Sequence, residues 1–162
     1  MTNEITSIKE NEILAALGGL IVEFGVLEYE LLLAITSLAR IEYDTLLSIV
    51  AGDSLSNLLK VFDSVFSNGE HTPDESVVFQ SLLKRIRAAN EKRNYFIHAL
   101  WDAGDGSVGR MLKYAKGRKG LPITWEAVDV RVSEIITLCD EFNSLSEEIE
   151  RFANTEFSKN KE

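Results

Sequence analysis

Apolar residues at helical spacing fill the first part of the chain and constrain its fold more than any other feature. From about Ser7 to Arg40 they recur every three or four residues: Ile13, Leu17, Leu20, Phe24, Leu27, Leu31, Ile35 and Leu38. This spacing predicts one long helix with a continuous buried face. Ser7 and Glu10 have the spacing of a capping box that would start it.

The opposite side of this predicted helix is also apolar. It carries Ala15, Gly18, Gly19, Val22, Val26, Tyr29 and Leu33. A helix that is apolar nearly all round is buried on more than one side. We expect the second side to meet another copy of the chain, and the small residues, Gly25 among them, would let two helices approach closely.

Helical patterns also dominate the rest of the chain. Four further helices are predicted, at about 44–51, 54–66, 74–101 and 127–157. The third of them has a strong start signal, because Thr72 can act as N-cap, Pro73 suits the first helical position, and Glu75 stands three residues after the cap. Five glycines and Pro122 interrupt the pattern between 103 and 124. There the stretches 108–114 and 121–125 predict a small hairpin, with a basic flap as the alternative.

We therefore predict an all-α fold, a bundle of four to five helices with a short Gly-rich hairpin or flap before the last helix. One domain would cover residues 1–157, and 158–162 would form a flexible tail. Cys139 is the only cysteine among 162 residues, so no disulfide forms within the chain and a reducing compartment is expected. The N-terminus lacks the basic start of a secretory signal, and the longest apolar run, Ile13 to Val22, is too short to span a bilayer. These features predict a cytoplasmic protein with no membrane contact.

Few kinds of chemistry are open to this chain. One cysteine and two histidines argue against a structural zinc site. There is no GxxxxGK[ST] loop, and no GxGxxG following a predicted strand, so we predict no metal and no cofactor. Charge is unevenly spread, since residues 81–120 hold ten Lys and Arg against three Asp and Glu, whereas the whole chain has a net charge of −9. Such a basic island is a candidate anion site, and a solvated basic face is the plainer interpretation.

The island contains the motif Arg93-Asn94-Tyr95-Phe96-Ile97-His98, followed by Trp101. On an ideal helix Arg93 falls about 40° from the centre of the apolar stripe that begins at Phe79. A guanidinium there is costly unless it is paired or faces a wet cleft. Asn94 and His98 are four residues apart and share a helical face, so the amide could orient the imidazole.

An arginine beside a histidine suits phosphodiester chemistry on RNA. A histidine imidazole changes charge near neutral pH, so it can take the proton of a 2′-hydroxyl or protonate the leaving 5′-oxygen. A guanidinium binds phosphate oxygens and stabilises the charge that develops on them. No metal is required. The two proton transfers need two such groups and each chain has one His98, but a two-fold dimer would supply two.

At these residues the chain resembles the HEPN superfamily (higher eukaryotes and prokaryotes nucleotide-binding). Arg93-Asn94 followed by His98 matches its R-x4–6-H motif with a polar residue after the arginine. The wider pattern is similar to small bacterial members written as F-x-x-L-E…R-N-x-x-x-H-x-x-W, here Phe24, Leu27, Glu28, Arg93, Asn94, His98 and Trp101. The resemblance implies a dimerising bundle of four or five helices whose two motifs face a shared cleft.

Many members of that superfamily are metal-independent endoribonucleases of toxin–antitoxin or anti-phage systems, and others are binding modules without catalysis. The resemblance therefore implies an RNA substrate, a homodimer through the first helix and the motif helix, and an antitoxin or other defence-system partner. Catalysis would fall to Arg93, Asn94 and His98. The residues expected to contact substrate are Lys92, Lys116, Arg118 and Lys119. Glu28, Asn90 and Trp101 would support the site.

Each of these residues also has a structural interpretation. Arg93 could be the ion-pair partner of Glu28 on the first helix. His98 could be a half-buried helix histidine, and Asn94 a hydrogen-bonding packing residue, since an asparagine inside a helix usually has a partner. Trp101 could belong to the core or serve as a base-stacking platform. A binding module for a nucleotide or a protein, and a purely structural dimer, thus remain as alternatives to the nuclease.

Overall fold

The computed structural model describes residues 12–102, 108–115 and 124–159. Within them the chain forms five helices and three strands. In order these are α1 (Glu12–Ala39), α2 (Tyr43–Val50), α3 (Leu55–Ser67), α4 (Pro73–Ile97), β1 (Leu100–Asp102), β2 (Val108–Ala115), β3 (Thr124–Arg131) and α5 (Val132–Lys159). The mostly helical prediction is confirmed, with a small sheet added to it. No helix in this described part is long and apolar enough to cross a membrane.

The predicted start of the motif helix is confirmed in detail. The Thr72 backbone N–H donates to Glu75 Oε2 at 2.8 Å, and the Glu75 N–H donates to Thr72 Oγ1 at 3.3 Å. This reciprocal pair satisfies two donors that a helix start leaves unpaired. The capping box predicted at Ser7 and Glu10 lies outside the described residues, as do 103–107, 116–123 and 160–162. The first two residues of the predicted tail 158–162 belong to helix α5.

Two predicted helix bounds were wrong, both beside the sheet. The motif helix ends at Ile97 instead of Trp101, because Leu100 and Trp101 pair with Leu112 and Met111 as strand β1. The last helix begins at Val132 instead of Ala127. Residues 124–131 form β3, along which Val130 is buried while Asp129 and Arg131 are exposed, the alternation of a strand with one covered face.

The predicted hairpin is confirmed in its pairing and corrected in its length. Strands β2 and β3 run antiparallel in one register from Val108 opposite Arg131 to Ala115 opposite Thr124. The second strand was expected at 121–125 and in fact continues to Arg131. The sheet has the order β1-β2-β3.

The chain divides into two compact units. Unit 1 consists of Met1–Ile21 and Lys92–Cys139, and unit 2 of Val22–Glu91 and Asp140–Glu162. In unit 1 the covered face of the sheet contributes the buried Met111 and Val130. Beside them Gly109 faces Ile13, and a Cβ on that glycine would lie 2.9 Å from Ile13 Cγ1. Only a residue without a side chain lets β2 come this close to Ile13.

Aromatic rings form the centre of unit 2. The rings of Phe66 and Phe79 are stacked with centroids 3.9 Å apart, and Phe62 meets Phe79 edge-on at 5.0 Å. Phe152 of α5 lies 5.5 Å from both Phe66 and Phe79. His71 covers Phe66 at 3.7 Å, and its Nε2–H donates to the Phe66 carbonyl oxygen at 2.7 Å. An edge-on pair such as Phe62 and Phe79 stabilises a core beyond the area that it buries.

Candidate functional site

Arg93 and Asn94 hold each other in the last turn of α4. Arg93 Nη1 donates a hydrogen bond of 3.0 Å to Asn94 Oδ1, and both side chains are half-buried. The Nε atom of Arg93 is shielded from solvent. This hydrogen bond restricts the orientation of the guanidinium, and that orientation decides the direction from which it can bind an anion.

His98 immediately follows α4 and is exposed. Its backbone N–H donates to the Asn94 carbonyl oxygen at 3.2 Å, so the backbone of His98 continues the helical hydrogen bonding by one residue. The predicted orienting bond from the Asn94 amide to the imidazole is not among the hydrogen bonds of the described residues, where Asn94 Oδ1 instead accepts from Arg93. The structure thus brings Arg93 and Asn94 together and leaves the His98 ring in contact with solvent.

Trp101 fastens the segment that follows His98. Its Nε1–H donates to the Phe96 carbonyl oxygen at 2.8 Å, and the two rings lie 6.3 Å apart. Phe96 is one of the last residues of α4, where carbonyl groups lack helical partners, so the indole supplies one. His98 is therefore bracketed by two hydrogen bonds, its own N–H to Asn94 and that of the Trp101 indole to Phe96. This gives Trp101 a positioning role that the helical pattern did not reveal.

The surroundings of Tyr95 show which charges lie on one side of the motif. Burial raises the pKa of its hydroxyl above the ordinary value, and the carboxylates of Glu126 and Glu134 act in the same direction. The hydroxyl therefore remains a neutral hydrogen-bond donor and acceptor through the physiological range. Two carboxylates near Tyr95 disfavour a phosphate on that side of unit 1.

The basic residues of the predicted island have different environments. Lys92, predicted to contact substrate, is exposed on α4 in unit 1. Lys116, Arg118 and Lys119 lie outside the described residues. Arg85 binds carboxylates instead, because its Nη1 lies 2.7 Å from Glu148 and its Nε 3.1 Å from Glu141. Arg85 therefore does not belong to an anion site.

Two of the predicted supporting residues belong to the other unit. Glu28 on α1 and Asn90 on α4 are half-buried residues of unit 2, whereas Arg93 belongs to unit 1. The predicted pairing of Arg93 with Glu28 stays a prediction, as does a shared polar cluster with Asn90. Trp101, the third supporting residue, is half-buried in strand β1.

A glycine pattern typical of phosphate-binding loops lies between β1 and β2, although none was predicted to follow a strand. The segment Gly104-Asp105-Gly106-Ser107-Val108-Gly109 has GxGxxG spacing, and it does follow a strand, because β1 ends at Asp102. Its last two residues, Val108 and Gly109, already belong to strand β2, whereas the dinucleotide fingerprint needs a helix whose N-terminus faces the phosphates. The fingerprint is therefore incomplete at this position. Among the described residues, no group of three or more His, Cys, Asp or Glu side chains could hold a metal ion.

Sequence reasoning did not find the contacts that position this site. Strand β1 is three residues long, too short to show the alternation of apolar and polar residues that predicts a strand. The Trp101 indole donates to the backbone carbonyl of Phe96, a group that every residue type has, so the sequence does not identify this partner. Tyr95 lies inside the motif, but no role was predicted for it.

Comparison of the chain with protein-family models, with curated proteins and with solved structures gives no match.

Proposed function

We propose that this protein is a metal-independent endoribonuclease of toxin or anti-phage defence type. His98 moves the proton, Arg93 holds the scissile phosphate, and Asn94 fixes the guanidinium. The observation that carries the proposal is the pair of Arg93 and Asn94, joined at 3.0 Å in the last turn of α4. His98 directly follows α4, and there its backbone N–H is bound to the Asn94 carbonyl oxygen and its imidazole is exposed. The sequence resemblance described above supports the same assignment.

The reaction needs only the atoms that these side chains supply. Imidazole takes the proton of the 2′-hydroxyl, the 2′-oxygen attacks phosphorus, and the bond from phosphorus to the 5′-oxygen breaks. The leaving 5′-oxygen receives a proton from a second imidazole. The products are a 2′,3′-cyclic phosphate and a 5′-hydroxyl end. The Arg93 guanidinium stabilises the charge that the phosphate oxygens gain in the transition state.

The second imidazole comes from a second copy of the chain. Along α1 the side chains of Val22, Val26 and Tyr29 are exposed although they are apolar, and a Cβ on Gly25 would meet nothing within 4 Å. An exposed apolar stripe of this kind supports a homodimer. An antitoxin or another defence-system protein is proposed as the partner in the cell.

Cleavage of RNA by matched variants tests the activity. Bulk tRNA and a long single-stranded RNA are incubated with wild type, His98→Ala, Arg93→Ala and Arg87→Ala in EDTA. Loss of His98 or Arg93 is expected to lower the rate by at least about 100-fold. Arg87 is an exposed arginine of the same helix outside the motif, so Arg87→Ala should keep the activity. Cyclic phosphate ends on the products identify the mechanism.

Equal rates for wild type and His98→Ala, with both proteins folded by circular dichroism, would refute the role of His98. In cells, toxicity on expression that His98→Ala relieves would support the role of His98.

Sedimentation velocity of Val22→Glu tests the dimer. Its control is Val77→Glu on α4, because Val22 and Val77 are similarly exposed, 63% and 68%. Dissociation by the first substitution alone is expected.

A binding module without catalysis is the second candidate. It is favoured by the exposed His98 ring, which no hydrogen bond to another described residue orients. A module of this kind would bind a nucleotide or a partner protein with an affinity that Arg93→Ala lowers. Neither wild type nor His98→Ala would then turn substrate over.

A further inference from the structure

Unit 2 contains a groove that the proposed nuclease does not use. It lies between the N-terminal part of α4 and the C-terminal half of α5 and has a volume of about 380 Å³. Val78, Leu82 and Phe152 supply its apolar lining. Asp74, Glu75, Glu148, Arg151 and Thr155 complete it.

Strong contacts hold the two walls of the groove. Below it Phe152 of α5 packs against Phe79 of α4 with ring centroids 5.5 Å apart. Beside it Arg85 Nη1 binds both carboxylate oxygens of Glu148 at 2.7 Å, and Arg85 Nε binds Glu141 at 3.1 Å. These contacts join the two antiparallel helices at two levels, so the groove is formed before any ligand arrives.

The groove is open along its α4 wall. Val78 lines it and is 59% exposed. Covering this apolar side chain with a partner would be favourable, because it removes apolar surface from water. An enclosed pocket for a small molecule would bury such a side chain instead. An open channel between two helices, floored by aliphatic and aromatic groups, suits the apolar side of a third helix.

Charge indicates the nature of that third helix. Three carboxylates and one guanidinium line the groove. Asp74 is exposed and forms no salt bridge with another described residue. Glu148 is partly neutralised by Arg85. Unit 2 as a whole has 18 Asp and Glu against 8 Lys and Arg, a net charge of −10. A cationic ligand is attracted and an anionic one is repelled.

We propose that the groove binds a basic amphipathic helix of a partner protein. Apolar residues on one face of that helix cover Val78, Leu82 and Phe152. Lysine or arginine side chains flank this face and meet Asp74 and Glu75 at the start of α4. The site lies wholly in unit 2, so the proposal is independent of the nuclease and of the residues around Arg93.

The test uses a synthetic peptide as its probe. A fluorescein-labelled peptide of leucine and lysine, about 14 residues or four helical turns long, presents one apolar and one basic face. Its binding to the full chain is measured by fluorescence anisotropy at physiological salt. A peptide with glutamate in place of lysine is the charge control. We expect the basic peptide to bind and the acidic one not to bind.

The chain offers a closely matched pair of variants. Val78→Lys and Val77→Lys add the same charge to adjacent, similarly exposed positions of α4, and only Val78 lines the groove. We expect Val78→Lys to raise the Kd about tenfold or more, because it removes an apolar contact and adds repulsion. Val77→Lys should change the Kd about twofold at most. Asp74→Asn should weaken binding and reduce its salt dependence.

Three results would overturn the proposal. Absence of binding to the wild-type chain is the first. Equal weakening by Val78→Lys and Val77→Lys is the second, because it would mean general attraction to an acidic protein. The third is dissociation of an oligomer by Val78→Lys but not by Val77→Lys in sedimentation velocity, which would assign the groove to a second copy of the chain. Thermal melting of each variant confirms that it is folded.

Discussion

In unit 2 four phenylalanine rings pack against one another, whereas in unit 1 hydrogen bonds orient polar residues of the motif and Trp101 beside it. Phe66 meets two other phenylalanines, Phe79 and Phe152, and His71, with centroids from 3.7 to 5.5 Å away. Asn94 is fixed by one bond to Arg93, and Trp101 by one bond to a carbonyl. The first arrangement stabilises the fold through packing. The second keeps polar groups half-buried and directed. This costs stability, and a function at the site would account for that cost.

Removing a ring from the cluster should therefore have the largest effect on stability. Phe79 is fully buried, and Phe79→Ala should lower the free energy of unfolding by about 3–5 kcal/mol because it leaves a cavity between Phe62 and Phe66. Urea denaturation measures the change. Val77→Ala, two residues away and exposed, should change it by less than about 0.5 kcal/mol. A similar small loss for Phe79→Ala would show that the cluster is not the main source of stability.

Removing one hydrogen bond beside the motif should have a smaller effect on stability, and it should also lower the rate of RNA cleavage. Trp101→Phe retains an aromatic ring but loses the bond to the Phe96 carbonyl, so it should cost about 1 kcal/mol. RNA cleavage should fall together with it, because the backbone around His98 is then fastened on one side only. Stability follows from urea denaturation and activity from single-turnover cleavage. Unchanged cleavage would show that Trp101 belongs only to the fold.

The smallest expected effect is a gain in stability, and it depends on pH. Burial raises the pKa of Glu30 above its ordinary value of 4.5, and the carboxylate of Glu150 adds to the shift. The folded state thus holds this proton more tightly than the unfolded chain does. That contribution to stability is complete below 4.5 and is lost as the pH rises through the folded pKa. At neutral pH the charged Glu30 is therefore unfavourable.

Glu30→Gln should accordingly raise the melting temperature slightly at about pH 7 and leave it nearly unchanged at about pH 4. Differential scanning calorimetry at the two values measures this difference. Glu42→Gln, which removes an exposed carboxylate, is the matched control and should give no comparable gain at neutral pH. An equal gain from both substitutions would indicate a general effect of net charge and not of burial at Glu30.

The helical elements could be predicted because their signals are local. The period of Ile13, Leu17 and Leu20 places α1, and the Thr72–Glu75 capping box locates the start of α4 within one residue. The ends next to the sheet could not be located in this way. Leu100 and Trp101 fit the helical period of α4, but their backbone groups pair with β2, and the choice between the two depends on residues about ten positions later.

The motif residues were found because an arginine and an asparagine stand out on an apolar stripe. Their partners were harder to anticipate. Asn94 and His98 are four residues apart, and this spacing suggested a bond between their side chains, yet Asn94 accepts from the adjacent Arg93. Spacing along a helix shows which side chains are neighbours but does not rank their competing donors. A guanidinium, with five N–H groups and a positive charge, is the stronger competitor for an amide oxygen.

Cys139 gives the protein a built-in chemical probe of its own opening. Its half-buried thiol lies 4.0 Å from the carbonyl oxygen of Ala16, and Gly19 stands next to its sulfur, so α1 and the start of α5 meet at this point within unit 1. No other cysteine competes for a thiol reagent. The rate at which an aromatic disulfide modifies this sulfur, compared with the rate in the unfolded chain, therefore reports how well the contact around Ala16 and Gly19 shields it in the native state.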